Sequence, residues 1–191
     1  MAVKAWTGTH ADNGAMNDLF PSPAATFDHP LEILSACHER VRRHCRLTGR
    51  IAEHLEDEGF DEQVRLAAQS VVRYFDVAGR DHHLDEEEDL FPAMIEQDAG
   101  RGGAGRLVSR LLEDHRKLDA LWAQVRAILV ELAEGREAHI DPALASDFSA
   151  AYDEHIREEE EVLFPLARAT LPAAVLATLG ASMARRRGVK Q

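Results

Sequence analysis

Apolar residues recur in steps of three and four along four long stretches of the chain. This spacing places them on one face of an α-helix, so each stretch predicts a helix with one buried face. The four apolar stripes run within residues 31–55, 64–93, 107–132 and 148–166, and a shorter helix is predicted over about 173–186. The pattern therefore predicts an all-α protein.

Four long amphipathic helices joined by short loops are typical of an antiparallel up-down-up-down four-helix bundle. Residues 1–28 mix Gly, Asn, Thr, Asp and Pro with few apolar residues, which indicates an irregular N-terminal arm. We expect one domain over residues 29–187, made of the bundle and the short C-terminal fifth helix. Pro92 and Pro165 fall inside the second and fourth helices, so we expect a kink or break at the same height in both.

One motif occurs twice in the chain. The sequence His-His-Leu-Asp-Glu-Glu-Glu-Asp-Leu-Phe-Pro at 82–92 recurs as His-Ile-Arg-Glu-Glu-Glu-Glu-Val-Leu-Phe-Pro at 155–165. In both copies a histidine is followed four residues later by a glutamate, and residues four apart share one helix face. The repeat thus predicts two matching pairs, His82 with Glu86 and His155 with Glu159.

Each of the four stripes carries one histidine, and the second and fourth stripes also carry a glutamate. An unpaired carboxylate in an apolar core costs several kcal/mol, whereas a metal ion supplies the missing positive charge. We therefore predict that these side chains bind metal. The candidate ligands are His38, His82, Glu86, His115, His155 and Glu159.

The residues next to these candidates are interpreted as structural. His83 has no counterpart in the second copy of the motif, because Ile156 occupies its place. Cys37 and Cys45 are interpreted as small buried residues rather than ligands. The remaining acidic residues of the two motifs are interpreted as solvated helix faces: Asp85, Glu87, Glu88, Asp89, Glu158, Glu160 and Glu161.

A ligand set that mixes imidazole and carboxylate suits iron, manganese or zinc rather than calcium or magnesium. Six ligands are too many for one tetrahedral zinc ion. They suit two ions about 3.5–4 Å apart, with both glutamates bridging and two histidines on each ion. Di-iron proteins of the ferritin type use Glu-x-x-His pairs instead, and this chain contains no such pair.

Charge and composition exclude several other roles. With 22 basic and 34 acidic residues, the net charge of −12 disfavours binding to nucleic acid or to an anionic membrane surface. The basic run Arg185-Arg186-Arg187 is interpreted as the end of a helix. Neither a signal peptide within residues 1–20 nor a membrane-spanning stretch is apparent, and two cysteines make no disulfide framework. We therefore expect a cytoplasmic protein.

The chain resembles the hemerythrin-like family, whose members carry the histidine–histidine–glutamate cation-binding domain. The resemblance spans about residues 28–187 and is carried by the two repeated motifs and three shorter segments. These segments are Pro-Leu-Glu-x-Leu-x-x-x-His at 30–38, Glu113-Asp114-His115, and Met183-Ala184-Arg185-Arg186-Arg187-Gly188. The resemblance implies a left-handed four-helix bundle around an oxo- or hydroxo-bridged centre of two iron ions. Carried over by position, its ligands are the six candidates.

The ligand pattern departs from that of oxygen-carrying hemerythrins. Those proteins look to have five histidine ligands, with His-x-x-x-His on the third helix. In this chain the residue four positions after His115 is Asp119 instead. Glu159 lies four residues after His155, whereas those proteins have an aspartate five residues after their last histidine. The site is more similar to the four-histidine, two-glutamate centre of bacterial iron–sulfur repair proteins. However, residues 1–28 lack the cysteine pair found in the N-terminal domain of those proteins.

Fewer histidines leave more open coordination positions, which favours reactive chemistry over reversible storage. The leading hypothesis is a non-haem di-iron protein that binds or senses dioxygen, nitric oxide or peroxide. One alternative is catalysis, either nitric oxide or peroxide detoxification or iron donation for cluster repair. Others are an iron-dependent interaction module without ligand chemistry, and a structural zinc or manganese site. Whether the chain is an enzyme, which residues would then be catalytic, and its oligomeric state are left open.

Overall fold

The computed structural model describes residues 26–98 and 103–189, and every regular element within these residues is helical. The all-α prediction is therefore confirmed. The predicted arm over 1–28 lies almost wholly outside the described residues, and the domain boundaries stay predictions. We number five helices in chain order: α1 (Pro30–Asp57), α2 (62–98), α3 (Gly103–Ala133), α4 (142–170) and α5 (Ala173–Arg186).

Local sequence features fix where the helices begin and end. Pro30 stands in the first turn of α1, where its missing N–H is not needed. Gly59, with φ +82°, lies just after the end of α1 in a conformation that favours glycine. Asp61 caps α2 and Asp141 caps α4, each by accepting a hydrogen bond from a backbone N–H of the first turn.

The four long helices form a closed bundle in which α1 and α3 each contact both α2 and α4. Short connections make successive helices antiparallel. The apolar core consists of two clusters, one towards each end of the bundle. On each of the four long helices a candidate histidine lies where the two clusters meet: on α1, for example, His38 follows Cys37 of one cluster and precedes Val41 of the other. A polar layer therefore crosses the middle of the core.

The regular α-helical geometry of α2 and α4 is interrupted just before Pro92 and Pro165, at the same height in both helices as predicted, although neither helix ends there. Each helix widens into a π-helix just before its Phe-Pro pair, at Asp85–Leu90 and Glu159–Leu163. In both places the phenylalanine N–H donates to the carbonyl of the candidate bridging glutamate five residues earlier. The wider turn accommodates the proline ring, which would clash with the preceding turn of a regular α-helix.

α5 is attached to α2 by arginines at its C-terminal end. Arg186 and Arg187 both donate to the carboxylate of Asp85, which is fully buried, and Arg186 also bonds Glu88 and Asp89. Burial raises the pKa of Asp85 above its ordinary value even though the arginines act in the opposite direction. The interpretation of Asp85 as solvated is therefore wrong. This basic run therefore does more than end a helix, because Arg186 and Arg187 bind the π-helical segment that carries the candidate ligand Glu86.

Gly180 in α5 lies against the chain just before α1. A Cβ atom at this position would be 1.8 Å from the carbonyl oxygen of Phe27 and 2.9 Å from its carbonyl carbon. Real side chains do not approach backbone atoms so closely, so only glycine fits here. Within the described residues, no helix is both long and apolar enough to cross a membrane.

We expect Gly180→Ala to lower the free energy of unfolding by about 1–3 kcal/mol, because Phe27 and α5 must separate to admit the methyl group. Gly49→Ala in α1 is the matched control, since nothing lies within 4 Å of its added Cβ. The control should raise stability by about 0.5–1 kcal/mol through helix propensity. Urea denaturation measures both, and a shift of the same sign in the two variants would contradict the contact.

Candidate metal centre

The six candidate ligands come together in the polar layer at the middle of the bundle. Each is at most 2% exposed, because each lies on a buried stripe at the height where the two apolar clusters meet. Their placement in one cluster agrees with the prediction, and their role as metal ligands stays a prediction. α1 contributes His38, α2 contributes His82 and Glu86, α3 contributes His115, and α4 contributes His155 and Glu159.

The cluster divides into two groups of four side chains that share both glutamates. The first group adds His38 and His82, and the second adds His115 and His155. Within each group the nitrogen and oxygen atoms that could bind an ion lie within 4.8 Å of one another. Each group therefore offers two imidazoles and two carboxylate oxygens around one point.

Glu86 directs its two oxygens to different groups. Its Oε1 lies 3.5 Å from His82 Nε2, and its Oε2 lies 3.5 Å from His115 Nε2. Two atoms that bind one ion at right angles, each at about 2.1 Å, are about 3 Å apart. These separations are therefore close to those of neighbouring ligands on a shared ion.

Glu159 repeats this arrangement from the opposite helix. Its Oε2 lies 3.1 Å from His38 Nε2, and its Oε1 lies 3.4 Å from His155 Nε2. Both glutamates thus have the geometry of a carboxylate that bridges two ions. A single ion would leave one oxygen of each carboxylate facing an unused imidazole.

The buried glutamates lack hydrogen-bond donors. None of the four oxygens of Glu86 and Glu159 has a hydrogen-bond partner among the described residues. The Nε2 atoms of His115 and His155 face each other at 3.1 Å. Carboxylates buried in this way cost several kcal/mol each unless a cation neutralises them. The cluster is therefore suited to metal ions, because its buried carboxylate oxygens have no other partner among the described residues.

The surroundings shift the pKa values of these groups. Burial raises the pKa of Glu86 well above its usual range, and the nearby Glu159 adds to the effect. Burial acts on Glu159 in the same direction, but His155 and His38 outweigh it and hold that pKa below its ordinary value. Burial lowers the pKa of His82 and of His155. These two imidazoles are therefore held neutral, which is the form that binds metal.

The glutamate that follows each candidate bridging glutamate hydrogen-bonds a histidine on a neighbouring helix. Glu87 accepts from Nδ1 of His115 at 2.6 Å, and Glu160 accepts from Nδ1 of His38 at 2.9 Å. A histidine that donates from Nδ1 presents Nε2 as the metal-binding nitrogen, and the carboxylate fixes the ring in place. The single candidate ligands of α1 and α3 are thus each oriented by a carboxylate from a helix that carries two candidate ligands.

The charge on Glu160 is further stabilised by Arg42. The hydrogen bond from His38 and those from Arg42 lower the pKa of Glu160 to about 2. Glu87 is exposed, as its interpretation as a solvated carboxylate requires, and Glu160 is half-buried, but both also hydrogen-bond a candidate ligand, which that interpretation omits. The repeat contained the signal that could have found them, because both copies place a second glutamate directly after the candidate bridging glutamate.

His83 also lies beside the cluster, although the register of the repeat excludes it. Its ring stacks on that of His115, with centroids 4.1 Å apart, and burial, together with the charge on His115, lowers its pKa well below the ordinary value. The repeat gives no signal for this contact, because Ile156 takes the place of His83 in the second copy.

The remaining residues of interest have structural positions. Cys37 and Cys45 are buried free thiols, which confirms that interpretation. Tyr152 packs against Phe75 and Phe148, as expected of a core residue. Asp119, at the position where oxygen-carrying hemerythrins have a histidine, lines a surface cavity. It belongs to none of the potential metal-binding groups in the described part of the chain.

Comparison with known proteins agrees with this geometry. Residues 29–167 match the family described as Hemerythrin HHE cation binding domain, and all six candidate ligands fall within this range. A protein of Haemophilus influenzae, named only as an uncharacterized protein, is 34% identical over 176 residues. That alignment covers 92% of this chain and 100% of the relative.

We expect Glu87→Ala and Glu160→Ala each to weaken metal binding about 10- to 100-fold, because each leaves one histidine without the carboxylate that orients it. Titration with Zn²⁺ in competition with a chelator measures this loss. Glu161→Ala is the matched control, since this exposed carboxylate adjoins Glu160. Unchanged affinity in both test variants, or an equal loss in the control, would contradict the assignment.

Proposed function

This chain belongs to the hemerythrin family of HHE cation-binding domains, and we propose that it is a non-haem di-iron protein that binds or senses a small diatomic molecule or oxidant. Its buried histidine and glutamate cluster is suited to metal binding. The observation that carries the proposal is the division of each carboxylate between two histidine pairs. A mononuclear or purely structural site would not require this division.

The proposed ligand assignment follows the two groups. His38 and His82 would hold one ion and His115 and His155 the other, with Glu86 and Glu159 bridging both. When bound, a pair of iron ions supplies a redox-active centre that can accept a small ligand at positions the protein leaves open. Four protein ligands on an ion that prefers six would leave two such positions.

The chain controls access to these positions. Apolar clusters cover the polar layer above and below, so bulk water is excluded from both directions. A cavity of about 270 Å³ lies at the side, lined in part by His83, Trp122 and Tyr152. This volume admits dioxygen, nitric oxide or peroxide easily. The lining of the cavity includes His83, which stacks on His115, but none of the six candidate ligands. The cavity therefore supports an approach of small molecules to the neighbourhood of the centre.

The depth of the centre favours a resident cofactor over iron donation. All candidate ligands are at most 2% exposed, so release of an ion would require the bundle to open. Catalytic reduction of nitric oxide or peroxide would use the same open positions as binding. A measurement of turnover distinguishes catalysis from binding alone. An interaction module would gain stability from the metal without responding to any small ligand.

The test is to load the chain anaerobically with ferrous iron and record metal content and the ultraviolet–visible spectrum. We expect two iron ions per chain and a spectral change on addition of dioxygen, nitric oxide or peroxide. Glu159→Ala should lose iron and the response, because its carboxylate contacts both histidine pairs, whereas the exposed Glu161→Ala should retain both. One ion per chain, or no response to any of the three ligands, would overturn the proposal.

A further inference from the structure

A groove of about 600 Å³ lies between the second half of α1 and the first turns of α4, and one of its walls is basic. Arg43, Arg46 and Arg50 line this wall. They are three and four residues apart, so their side chains leave the helix on one face. The row extends about 10 Å along the axis, since an α-helix rises about 1.5 Å per residue. None of the six candidate metal ligands lines the groove.

The three arginines have no acidic partner among the described residues. The adjacent Arg42 pairs with Glu160 and Asp153. No such ion pair joins the guanidinium groups of the basic wall to another described residue, and all three side chains are exposed. They are therefore available to an anion from solution, even though the chain as a whole has a net charge of −12.

The opposite wall of the groove adds hydroxyl groups. Ser146 and Ser149 of α4 line it, and neither hydroxyl hydrogen-bonds another described residue, so both can donate to a ligand. Gly49 leaves room between the walls, because a Cβ atom added there would meet nothing within 4 Å. Among the described residues that line the groove, the one carboxylate is that of Glu53, three residues beyond Arg50. Its charge confines an anion to the part of the groove beside the arginines.

These features suit a small molecule with more than one phosphate group. Arginine binds phosphate oxygens through two parallel hydrogen bonds, and a row of three guanidinium groups can contact a chain of two or three phosphates. The volume of the groove lies within the range of about 300–1,000 Å³ that is typical of small-molecule sites. An extended polyanion such as a nucleic acid would also meet the acidic remainder of the surface, which repels it.

We propose that the groove between α1 and α4 binds a small molecule that carries a diphosphate or triphosphate group. Arg43, Arg46 and Arg50 pair with the phosphate oxygens, and Ser146 and Ser149 donate hydrogen bonds to them. This site goes beyond the proposed di-iron function and does not depend on it, because the groove and the metal-binding groups share no residue. Failure of either proposal therefore leaves the other intact.

Arg73 on α2 provides a matched control. Like the arginines of the groove, it is exposed and has no acidic partner among the described residues, but it lies outside the groove. Arg73→Gln removes the same charge as Arg46→Gln and leaves the groove unchanged. A difference between the two variants therefore reports on the site rather than on net charge.

The experiment is equilibrium dialysis of the full-length chain and its variants against radiolabelled ATP, with phosphate, pyrophosphate, tripolyphosphate and a short single-stranded DNA as competitors. We expect one saturable site per chain, at which tripolyphosphate competes best and phosphate least. Arg46→Gln should weaken ATP binding about tenfold or more, because it removes charge-assisted hydrogen bonds, whereas Arg73→Gln should change it less than about twofold. Tripolyphosphate that competes as well as unlabelled ATP identifies the phosphate chain as the ligand, and weaker competition shows that the nucleoside contributes.

The absence of saturable binding up to about 1 mM ATP, or an equal loss of affinity in Arg46→Gln and Arg73→Gln, would overturn the inference. Single-stranded DNA that competes more strongly than tripolyphosphate would also overturn it, because the ligand would then be an extended polyanion. Chelation of bound metal by the phosphates affects every variant alike, so it cannot produce the expected difference.

Discussion

Glu86 and Glu159 are fully buried, and none of their four oxygens meets a hydrogen-bond donor among the described residues. An ionised carboxylate in an apolar core opposes folding by several kcal/mol unless a partner compensates it. His155 and His38 compensate Glu159, whereas burial and the nearby Glu159 both disfavour the ionised form of Glu86. The stability lost at the centre must be supplied by the apolar clusters above and below it. The same clusters exclude water from the ligand atoms, so the feature that weakens the metal-free chain also prepares a dry, preorganised site for cations.

The two copies of the motif supply most of that site, and each contributes the same arrangement of side chains. In each copy a histidine and a glutamate four residues apart point inwards, and the next glutamate orients a histidine on a neighbouring helix. The following π-helical turn lets the helix continue through proline, which keeps the ligands on an unbroken element. The two copies differ where Asp85 is clamped by Arg186 and Arg187. The candidate ligands are therefore arranged nearly symmetrically, whereas the residues packed over the two copies of the motif differ.

The fold and the cluster could be predicted from the sequence because both depend on short-range periodicity. A histidine that interrupts an apolar stripe is visible in the sequence, and four such interruptions, one on each helix, predict a common layer. The repeat marks Glu87 and Glu160 as equivalent positions, but periodicity does not identify the partners of Glu87, Glu160 and Asp85, because those partners lie on other helices. The contact of His83 with His115 could not be predicted either, because Ile156 takes the place of His83 in the second copy and the repeat gives no signal for it.

The central claim is that the buried carboxylates are tolerated because metal neutralises them, and the unfolding free energy of Glu86→Gln tests it most directly. Without metal, the variant should be about 1–3 kcal/mol more stable than the unchanged chain, since a neutral amide replaces a carboxyl whose ionised form burial disfavours. With metal present, the order should reverse, because only the unchanged chain gains the full binding energy. A variant that is less stable in both states would contradict the account.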